Sequence, residues 1–145
     1  MTPPHALDTN GYVELLRQGP RAEAVRAFAA SPGARFVLLM PVMAELLQGA
    51  RTPAEERTLT QRLLEPVPPG RRVAAGAAEW LATGRLAGAL ARAGHDPREL
   101  ARRAFYLDLH IAVLCRARGI TLLSDDSDHA RIRPYAGHRV LPLPS

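Results

Sequence analysis

Short apolar runs alternate with longer helical patterns along this chain, and this alternation limits the possible folds more than any other feature. The runs at 35–40 and 120–124 are almost continuously apolar, which is typical of strands buried on both faces. Strands that alternate with helices usually pair in parallel, with helices covering both faces of the sheet. The sequence therefore predicts an α/β fold built on a parallel sheet.

Local signals place the other elements. A weak first strand, 5–7, precedes Asp8, and a final strand at 139–143 is expected at a sheet edge because Pro142 cannot donate to a ladder. The helix that begins near Asp96 is predicted to run unbroken to Gly119. Helices are predicted over 10–18, 21–30, 42–49, 54–64, 71–93 and 96–118, with a turn or short helix at 126–132.

Length and composition indicate a single domain spanning residues 1–145. The single cysteine, Cys115, excludes a disulfide within the chain and fits the cytoplasm. No apolar run reaches the roughly 18 residues that a membrane span requires. The first residues have neither a basic start nor an apolar stretch, so we expect no signal peptide.

All of the basic side chains other than histidine are arginines: the chain has 19 arginines, no lysine and a net charge of +5. A positive charge favours binding to nucleic acid. A codon bias towards arginine explains the same composition equally well. The absence of lysine excludes a P-loop and any mechanism that depends on a catalytic lysine.

Four carboxylates stand where the chain changes structural type: Asp8, Glu45, Asp108 and Asp126. Carboxylates at strand ends and helix starts of one α/β sheet can meet in a single cleft. Because they repel one another, such a cleft usually holds a hard divalent cation such as Mg²⁺ or Mn²⁺. That combination suits the metal-assisted cleavage of a phosphodiester.

Each carboxylate also has a purely structural explanation. Asp8 is a good helix N-cap, and Glu45 in the first turn of a helix is favoured by the macrodipole. Asp108 is the strongest site candidate because it lies on an otherwise apolar helical face, although pairing with an arginine or capping a neighbouring helix would also explain it. After the strand at 120–124, Asp126 and Asp128 are better candidates than Asp125, which we expect in a solvated turn.

Four short segments resemble, in order, the motifs of PIN-domain nucleases. They are residues 7–10 (Leu-Asp-Thr-Asn), residues 44–51 (Ala-Glu-Leu-Leu-Gln-Gly-Ala-Arg), Asp108 with Ile111 and Ala112, and residues 124–128 (Ser-Asp-Asp-Ser-Asp). The stretch 80–90 is similar to the helix that precedes the third motif. The resemblance covers essentially the whole chain and is closest to VapC-type toxins of bacterial toxin–antitoxin modules.

This resemblance implies a three-layer α/β/α sandwich with a mostly parallel sheet and a Mg²⁺- or Mn²⁺-dependent endoribonuclease. Asp8, Glu45, Asp108 and Asp126 would be the carboxylates of the metal site, with Asp128 as an auxiliary ligand. Thr9 or Asn10 would orient Asp8. The implied partners are RNA, a VapB-type antitoxin and a second copy of the chain. Arginines near the cleft would hold the RNA backbone, the candidates being Arg51, Arg102 and Arg131.

Three residues depart from the family pattern: Leu107 replaces the usual Asn, His110 the usual Leu and His129 the usual Phe. They leave open a second reading, a PIN-like domain that binds RNA or a protein partner without cutting. An Asp-nucleophile phosphatase or a phospho-acceptor domain is disfavoured. Asp8 has no second Asp two residues later, and no lysine is present to pair with a phosphoaspartate.

Overall fold

The computed structural model describes residues 2–145, and its strands pair in parallel throughout. The strands are β1 (His5–Leu7), β2 (Leu38–Leu39), β3 (Arg72–Val73), β4 (Thr121–Leu123) and β5 (Arg139–Leu141). β4 lies between β1 and β5, while β2 pairs with β3.

The two groups of strands meet at β1. A parallel bridge joins His5 to Phe36, and the His5 carbonyl accepts a 2.9 Å hydrogen bond from the Val37 amide. The strands therefore run in the order β3-β2-β1-β4-β5. After β1, the chain adds β2 and β3 on one side of it. It then crosses over to add β4 and β5 on the other side. The strand order thus reverses between β1 and β4, which in open α/β sheets is the usual position of a binding crevice.

Helices cover both faces of the sheet, so the predicted α/β/α architecture is confirmed. The helices are α1 (Thr9–Leu16), α2 (Ala22–Ala30), α3 (Met40–Gln48), α4 (Pro53–Leu59), α5 (Ala77–Arg92), α6 (Pro97–Leu100), α7 (Arg103–Arg118) and α8 (Ser127–Ala136). α7 packs against α3, α5 and α8. None of the helices in residues 2–145 has the length and apolar character needed to cross a membrane.

The buried side chains form two clusters. The larger lies around the sheet, where Leu7 pairs in register with Leu123 and both pack with Ile111 of α7. The smaller joins α5, α7 and α8 through Leu90 and Phe105, among others. α7 contributes to both clusters, which explains why so much of this helix is buried.

Two predicted segments differ from the structure around β2 and β3. Pro41, which lies between the predicted strand at 35–40 and the predicted helix at 42–49, belongs to the helix. It occupies the first turn of α3, where a proline is tolerated because its missing amide would have no helical partner. The predicted helix over 71–93 begins only at Ala77. The residues before it form β3, in which Val73 pairs with Leu39.

The predicted helix over 96–118 is wrong in its continuity. Asp96 caps α6 as predicted, accepting a 2.9 Å hydrogen bond from the Arg98 amide. The chain then bends at Arg102, whose backbone is extended (φ −70°, ψ 128°), before α7 begins. Gly119 ends α7 in the left-handed conformation (φ 64°), as predicted. β5 lies at the edge of the sheet, also as predicted.

Candidate metal centre

The candidate site lies at the carboxyl ends of β1 and β4, where the strand order reverses. Asp8 follows β1 directly and caps α1, while Asp126 lies just beyond β4 and caps α8. The Asp8 amide donates a 3.0 Å hydrogen bond to the Leu123 carbonyl, which fixes the two chain segments side by side. The sheet therefore determines the separation of these two carboxylates.

Asp8 is buried, with 3% of its surface exposed, and both of its oxygens are held. Oδ1 accepts a 2.9 Å hydrogen bond from the Thr9 amide, and Oδ2 accepts a 2.8 Å hydrogen bond from the Ser124 hydroxyl. Asp8 thus caps a helix and also faces the cluster. Ser124 in turn accepts a 3.0 Å hydrogen bond from the Asp126 amide, so this hydroxyl connects the two aspartates. Sequence reasoning missed Ser124, although its position at a strand end before an Asp pair was a usable signal.

Asp108 projects from α7 towards the same point, and 7% of its surface is exposed. Burial raises the pKa of its carboxyl to about 6, and the nearby charges of Asp8 and Asp126 add to that effect. Within residues 2–145 no arginine lies within salt-bridge distance of Asp108. The side chain that approaches it is His129, so the expected structural alternative of an arginine partner is absent.

Two overlapping sets of possible metal ligands share Asp108. In one, ligand atoms of Asp8, Asp108 and His129 lie within 4.8 Å of one another. In the other, carboxylate oxygens of Asp108, Asp126 and Asp128 do the same. The structure thus brings together four of the five predicted carboxylates and adds a histidine.

His129 is the residue that sequence reasoning recorded only as a departure from phenylalanine. Its side chain is fully buried, and Nε2 lies 3.5 Å from Asp8 Oδ2 and 3.6 Å from Asp108 Oδ1. Burial by itself would lower the pKa of His129. The contact with Asp108 and the charges of Asp8, Asp108 and Asp126 outweigh burial and raise that pKa above its ordinary value. His129 is therefore a cationic or metal-binding group inside the acidic cluster.

A second buried histidine lies behind the first. His129 Nδ1 is 3.2 Å from Nε2 of His138, which immediately precedes β5. Burial and, to a smaller extent, the neighbouring charges of His129 and Arg133 together lower the pKa of His138 to about 4. His138 is consequently neutral at pH 7 and able to accept a hydrogen bond from His129.

Glu45 belongs to neither ligand set. It is half-buried on α3 and lines a groove together with Arg102, Arg103 and Leu107. A second groove, on the other side of Glu45, reaches Thr9. Glu45 therefore borders the site, whereas Asp8, Asp108 and Asp126 form its interior. Asn10, the other predicted partner of Asp8, is exposed, and the contact to Asp8 comes from Thr9.

Two of the three candidate RNA-binding arginines lie against Asp128. Arg131 Nη1 is 3.1 Å and Arg102 Nη2 is 3.6 Å from the Asp128 carboxylate. Arg131 also pairs with Glu99. Arg51 lies further away, just before α4, with its side chain exposed.

Asp125, expected in a solvated turn, is exposed, and it also makes two contacts. It forms an ion pair with Arg21 and accepts a 3.1 Å hydrogen bond from the Leu143 amide. These contacts connect the loop after β4 to residues near α2 and beyond β5. Asp125 belongs to neither ligand set, and its contacts are structural.

The donor groups fit a divalent cation. Carboxylate oxygens are the ligands of Mg²⁺ and Mn²⁺, and imidazole nitrogen is a common ligand of first-row divalent metals. His129 Nε2 is buried and has no hydrogen-bond partner in the described chain, so the cluster contains a polar atom that a cation would satisfy.

Comparison with known proteins places this geometry in context. A family model described as PIN domain matches residues 6–134. No protein of curated function matches the sequence.

Several solved structures share the fold over nearly their full length. A chain of VapBC2 from Rickettsia felis, bound to a DNA fragment from its promoter, has a TM-score of 0.70 at 16% identity, covering 95% of this chain and 97% of that one. VapBC-1 from nontypeable Haemophilus influenzae gives 0.69 at 19% identity, covering 96% and 97%. DNA-bound VapBC from Salmonella typhimurium gives 0.69 at 18% identity, covering 97% and 98%. At these identities the likeness is one of fold.

Proposed function

The chain belongs to the PIN-domain family, and on that premise we propose that it is a Mg²⁺- or Mn²⁺-dependent endoribonuclease, the toxin of a type II toxin–antitoxin pair. The observation that carries the proposal is the convergence of Asp8, Asp108 and Asp126 at the reversal point of the sheet. Asp8 and Asp126 each cap a helix, whereas within residues 2–145 Asp108 has neither a cap nor an arginine partner to explain its position beside them. Their mutual repulsion makes such a cluster costly unless a cation binds there.

A bound Mg²⁺ or Mn²⁺ would polarise the phosphoryl oxygen and lower the pKa of a water molecule. The chain supplies the remaining parts of the site. Asp8, Asp108, Asp126 and Asp128 would hold the cation, and the Thr9 amide with the Ser124 hydroxyl keeps Asp8 aimed at it.

Glu45 borders the groove and would accept a proton from the attacking water. Arg102 and Arg131 lie on the outer side of Asp128, where their guanidinium groups could exchange that carboxylate for phosphate oxygens of the RNA backbone. Arg51, beyond Glu45, would contact the backbone further along the strand.

We also propose a VapB-type antitoxin and a second copy of the chain as partners, with residues 1–145 acting as one domain in the cytoplasm. Support comes from the matched structures, which are themselves VapBC complexes. An open groove of about 710 Å³ beside Thr9 and Glu45 is lined by apolar side chains that an antitoxin segment could cover. They include Val13, Leu16, Leu46 and Leu59.

The decisive experiment is cleavage of a structured RNA by the purified protein in Mg²⁺ or Mn²⁺, comparing wild type with Asp108→Asn. This change is nearly isosteric and removes one charge from both ligand sets. We expect at least a hundredfold loss of cleavage, on the order of 3 kcal/mol in the barrier. His110→Leu is the matched control, since His110 is buried on the same helix but faces α5. It should cleave within about threefold of wild type.

Circular dichroism and size exclusion would establish that both variants are folded. Wild-type cleavage rates from folded Asp108→Asn protein would overturn the proposed site.

His129 favours a second candidate function, a PIN-like domain that binds RNA or a protein without cutting. A protonated imidazole between Asp8 and Asp108 would neutralise the cluster in the absence of metal. The same assay decides between the two functions. RNA binding without cleavage in either metal would support the non-cutting domain.

A further inference from the structure

We propose that His129 Nε2 is itself a metal ligand, completing a mixed nitrogen and oxygen site with Asp8 and Asp108, and that this site prefers Mn²⁺ to Mg²⁺. The inference rests on the metal site of the proposed function. It adds a ligand that the carboxylate motifs do not contain, and with it a basis for metal selectivity.

The distances around His129 are too long for good direct hydrogen bonds and leave room for an ion shared by the three side chains. Nε2 is 3.5 Å from Asp8 Oδ2 and 3.6 Å from Asp108 Oδ1. Hydrogen bonds from nitrogen to oxygen are usually about 2.7–3.2 Å long. Adjacent ligand atoms that each lie about 2.1 Å from an octahedral metal ion are separated by roughly 3.0 Å. A cation would therefore fit among these three atoms once each carboxylate oxygen moved about 0.5 Å closer to Nε2.

The ring nitrogen that faces the carboxylates is buried without a partner. His129 is 0% exposed, and Nε2 makes no hydrogen bond to any group in residues 2–145. A buried polar atom left in this condition costs free energy. Coordination of a cation would satisfy it and would neutralise the two facing carboxylates at the same time.

His138 is positioned to prepare His129 for this role. His138 Nε2 lies 3.2 Å from His129 Nδ1 and can accept its hydrogen. Once a cation displaces the proton from Nε2, the lone pair of the neutral His129 ring faces Asp8 and Asp108. Metal-binding histidines nearly always donate their other ring hydrogen in this way, and the acceptor fixes the orientation of the ring. His138 is therefore a positioning residue for the proposed ligand.

Ligand chemistry gives the expected selectivity. Mg²⁺ binds oxygen and rarely accepts imidazole, whereas first-row transition ions accept both. The neighbouring set of Asp108, Asp126 and Asp128 contains oxygen only. The nitrogen ligand at His129 should thus raise the affinity of the site for Mn²⁺. The affinity for Mg²⁺ should depend on the carboxylates alone.

The test is electron spin-echo spectroscopy of Mn²⁺ bound to the full chain, in which a directly bound ¹⁴N modulates the echo. We expect nitrogen modulation in wild type, its conversion to a ¹⁵N pattern when the histidines are labelled, and its loss in His129→Phe. His110→Leu is the matched control and should retain the modulation. His138→Gln should keep it with a weaker Mn²⁺ affinity.

Equilibrium binding provides the second readout. In His129→Phe the Mn²⁺ affinity should fall at least tenfold, while the Mg²⁺ affinity, measured by competition, should stay within about threefold. An echo without nitrogen modulation in wild type overturns the inference whether or not the variant folds. So does a His129→Phe protein that binds Mn²⁺ as tightly as wild type or more tightly, which is expected if His129 acts only as a cation that competes with the metal.

These outcomes are independent of the proposed nuclease activity. Nitrogen modulation without RNA cleavage would contradict the proposed function and support His129 as a metal ligand. Cleavage with Mn²⁺ but no nitrogen modulation would support the proposed function and contradict His129 as a ligand.

Discussion

His129 and His110 are both buried on helices of the same layer, yet their pKa values shift in opposite directions. His110 is 1% exposed, stacks on Trp80 at 3.7 Å between ring centroids, and hydrogen-bonds to the Thr83 hydroxyl at 2.8 Å. Burial lowers the pKa of His110, and the charge of Glu79 opposes this only weakly. His129 is buried as deeply, but the surrounding carboxylates raise its pKa.

The comparison shows that burial disfavours the charged form of an imidazole by a similar mechanism at both positions. The neighbouring groups then determine the direction of the pKa shift, because nearby carboxylates stabilise the charged ring. Around His110 the contacts come from a hydroxyl, an indole and α5, and they support a neutral ring. Around His129 two carboxylates converge at 3.5 and 3.6 Å. Two departures from the family pattern therefore have different meanings: one is accommodated in the core, and the other joins the site.

The largest expected effect concerns His138. It tests whether burial lowers the pKa of a histidine that, within residues 2–145, has no carboxylate in contact with it. Its pKa falls from 6.5 to about 4 on folding, so the unfolded chain takes up a proton first as the pH drops. Its contribution to stability is complete above pH 6.5 and is lost between pH 6.5 and 4. His138→Gln does not titrate. Between pH 7 and 4 wild type should lose on the order of 3 kcal/mol more than the variant.

Urea unfolding in EDTA at several pH values measures this difference. If the free energy of unfolding depended on pH in the same way for the two proteins, the pKa of His138 would not be lowered on folding, and the prediction would be wrong.

The next largest effect is the change in stability on adding metal, which is expected around His129 and not around His110. A cation that binds the folded cluster and not the unfolded chain should stabilise wild type by about 2.7 kcal/mol at a hundredfold excess over its dissociation constant. Asp8→Asn removes one ligand and should blunt that gain. Without metal its melting temperature should rise, because burial and neighbouring charges already oppose ionisation of Asp108 beside it. His110→Leu should keep the full gain.

Thermal unfolding of the three proteins in EDTA and in millimolar Mn²⁺ provides the measurement. Equal metal-induced shifts in wild type and Asp8→Asn would contradict a cluster that depends on Asp8.

The smallest expected effect concerns Ser124, whose hydroxyl connects Asp8 to the Asp126 amide. Ser124→Ala leaves a buried carboxylate oxygen without its donor and should destabilise the protein by about 1–2 kcal/mol. Ser127→Ala, three residues later and exposed, should change stability by less than about 0.5 kcal/mol. Urea unfolding of both variants at pH 7 tests the contrast, and equal losses would mean that the Ser124 contact contributes nothing specific.

Local signals in the sequence were sufficient for much of the fold and for several side chains of the candidate site. An isolated carboxylate within an apolar helix marked Asp108, and a carboxylate directly after a strand marked Asp8 and Asp126. The parallel α/β architecture followed from the alternation of elements. Each of these inferences depends on residues that are close together in the chain.

The features that sequence reasoning missed depend on contacts between distant segments. Ser124 and Asp8 are 116 positions apart, so their hydrogen bond has no local signature. His129 replaces a phenylalanine in the family pattern, and only the approach of Asp8 and Asp108 reveals its chemistry. β3 has two residues within an alanine-rich stretch, and its strand character comes from pairing with β2.

The reversal of strand order between β1 and β4 has a consequence for how the site is assembled during synthesis. Asp8 is translated well before Asp126 and His129, and β1 has no neighbour on that side until β4 has been made. The pairing of β1 with β4 joins residues that are far apart in the sequence. Such pairs form slowly because closing the long intervening loop costs chain entropy. A ribosome-bound chain that has not reached residue 121 lacks β4 and three of the five groups of the cluster, Asp126, Asp128 and His129. If the protein cuts RNA as proposed, it would acquire that ability only after β4 and α8 have been translated.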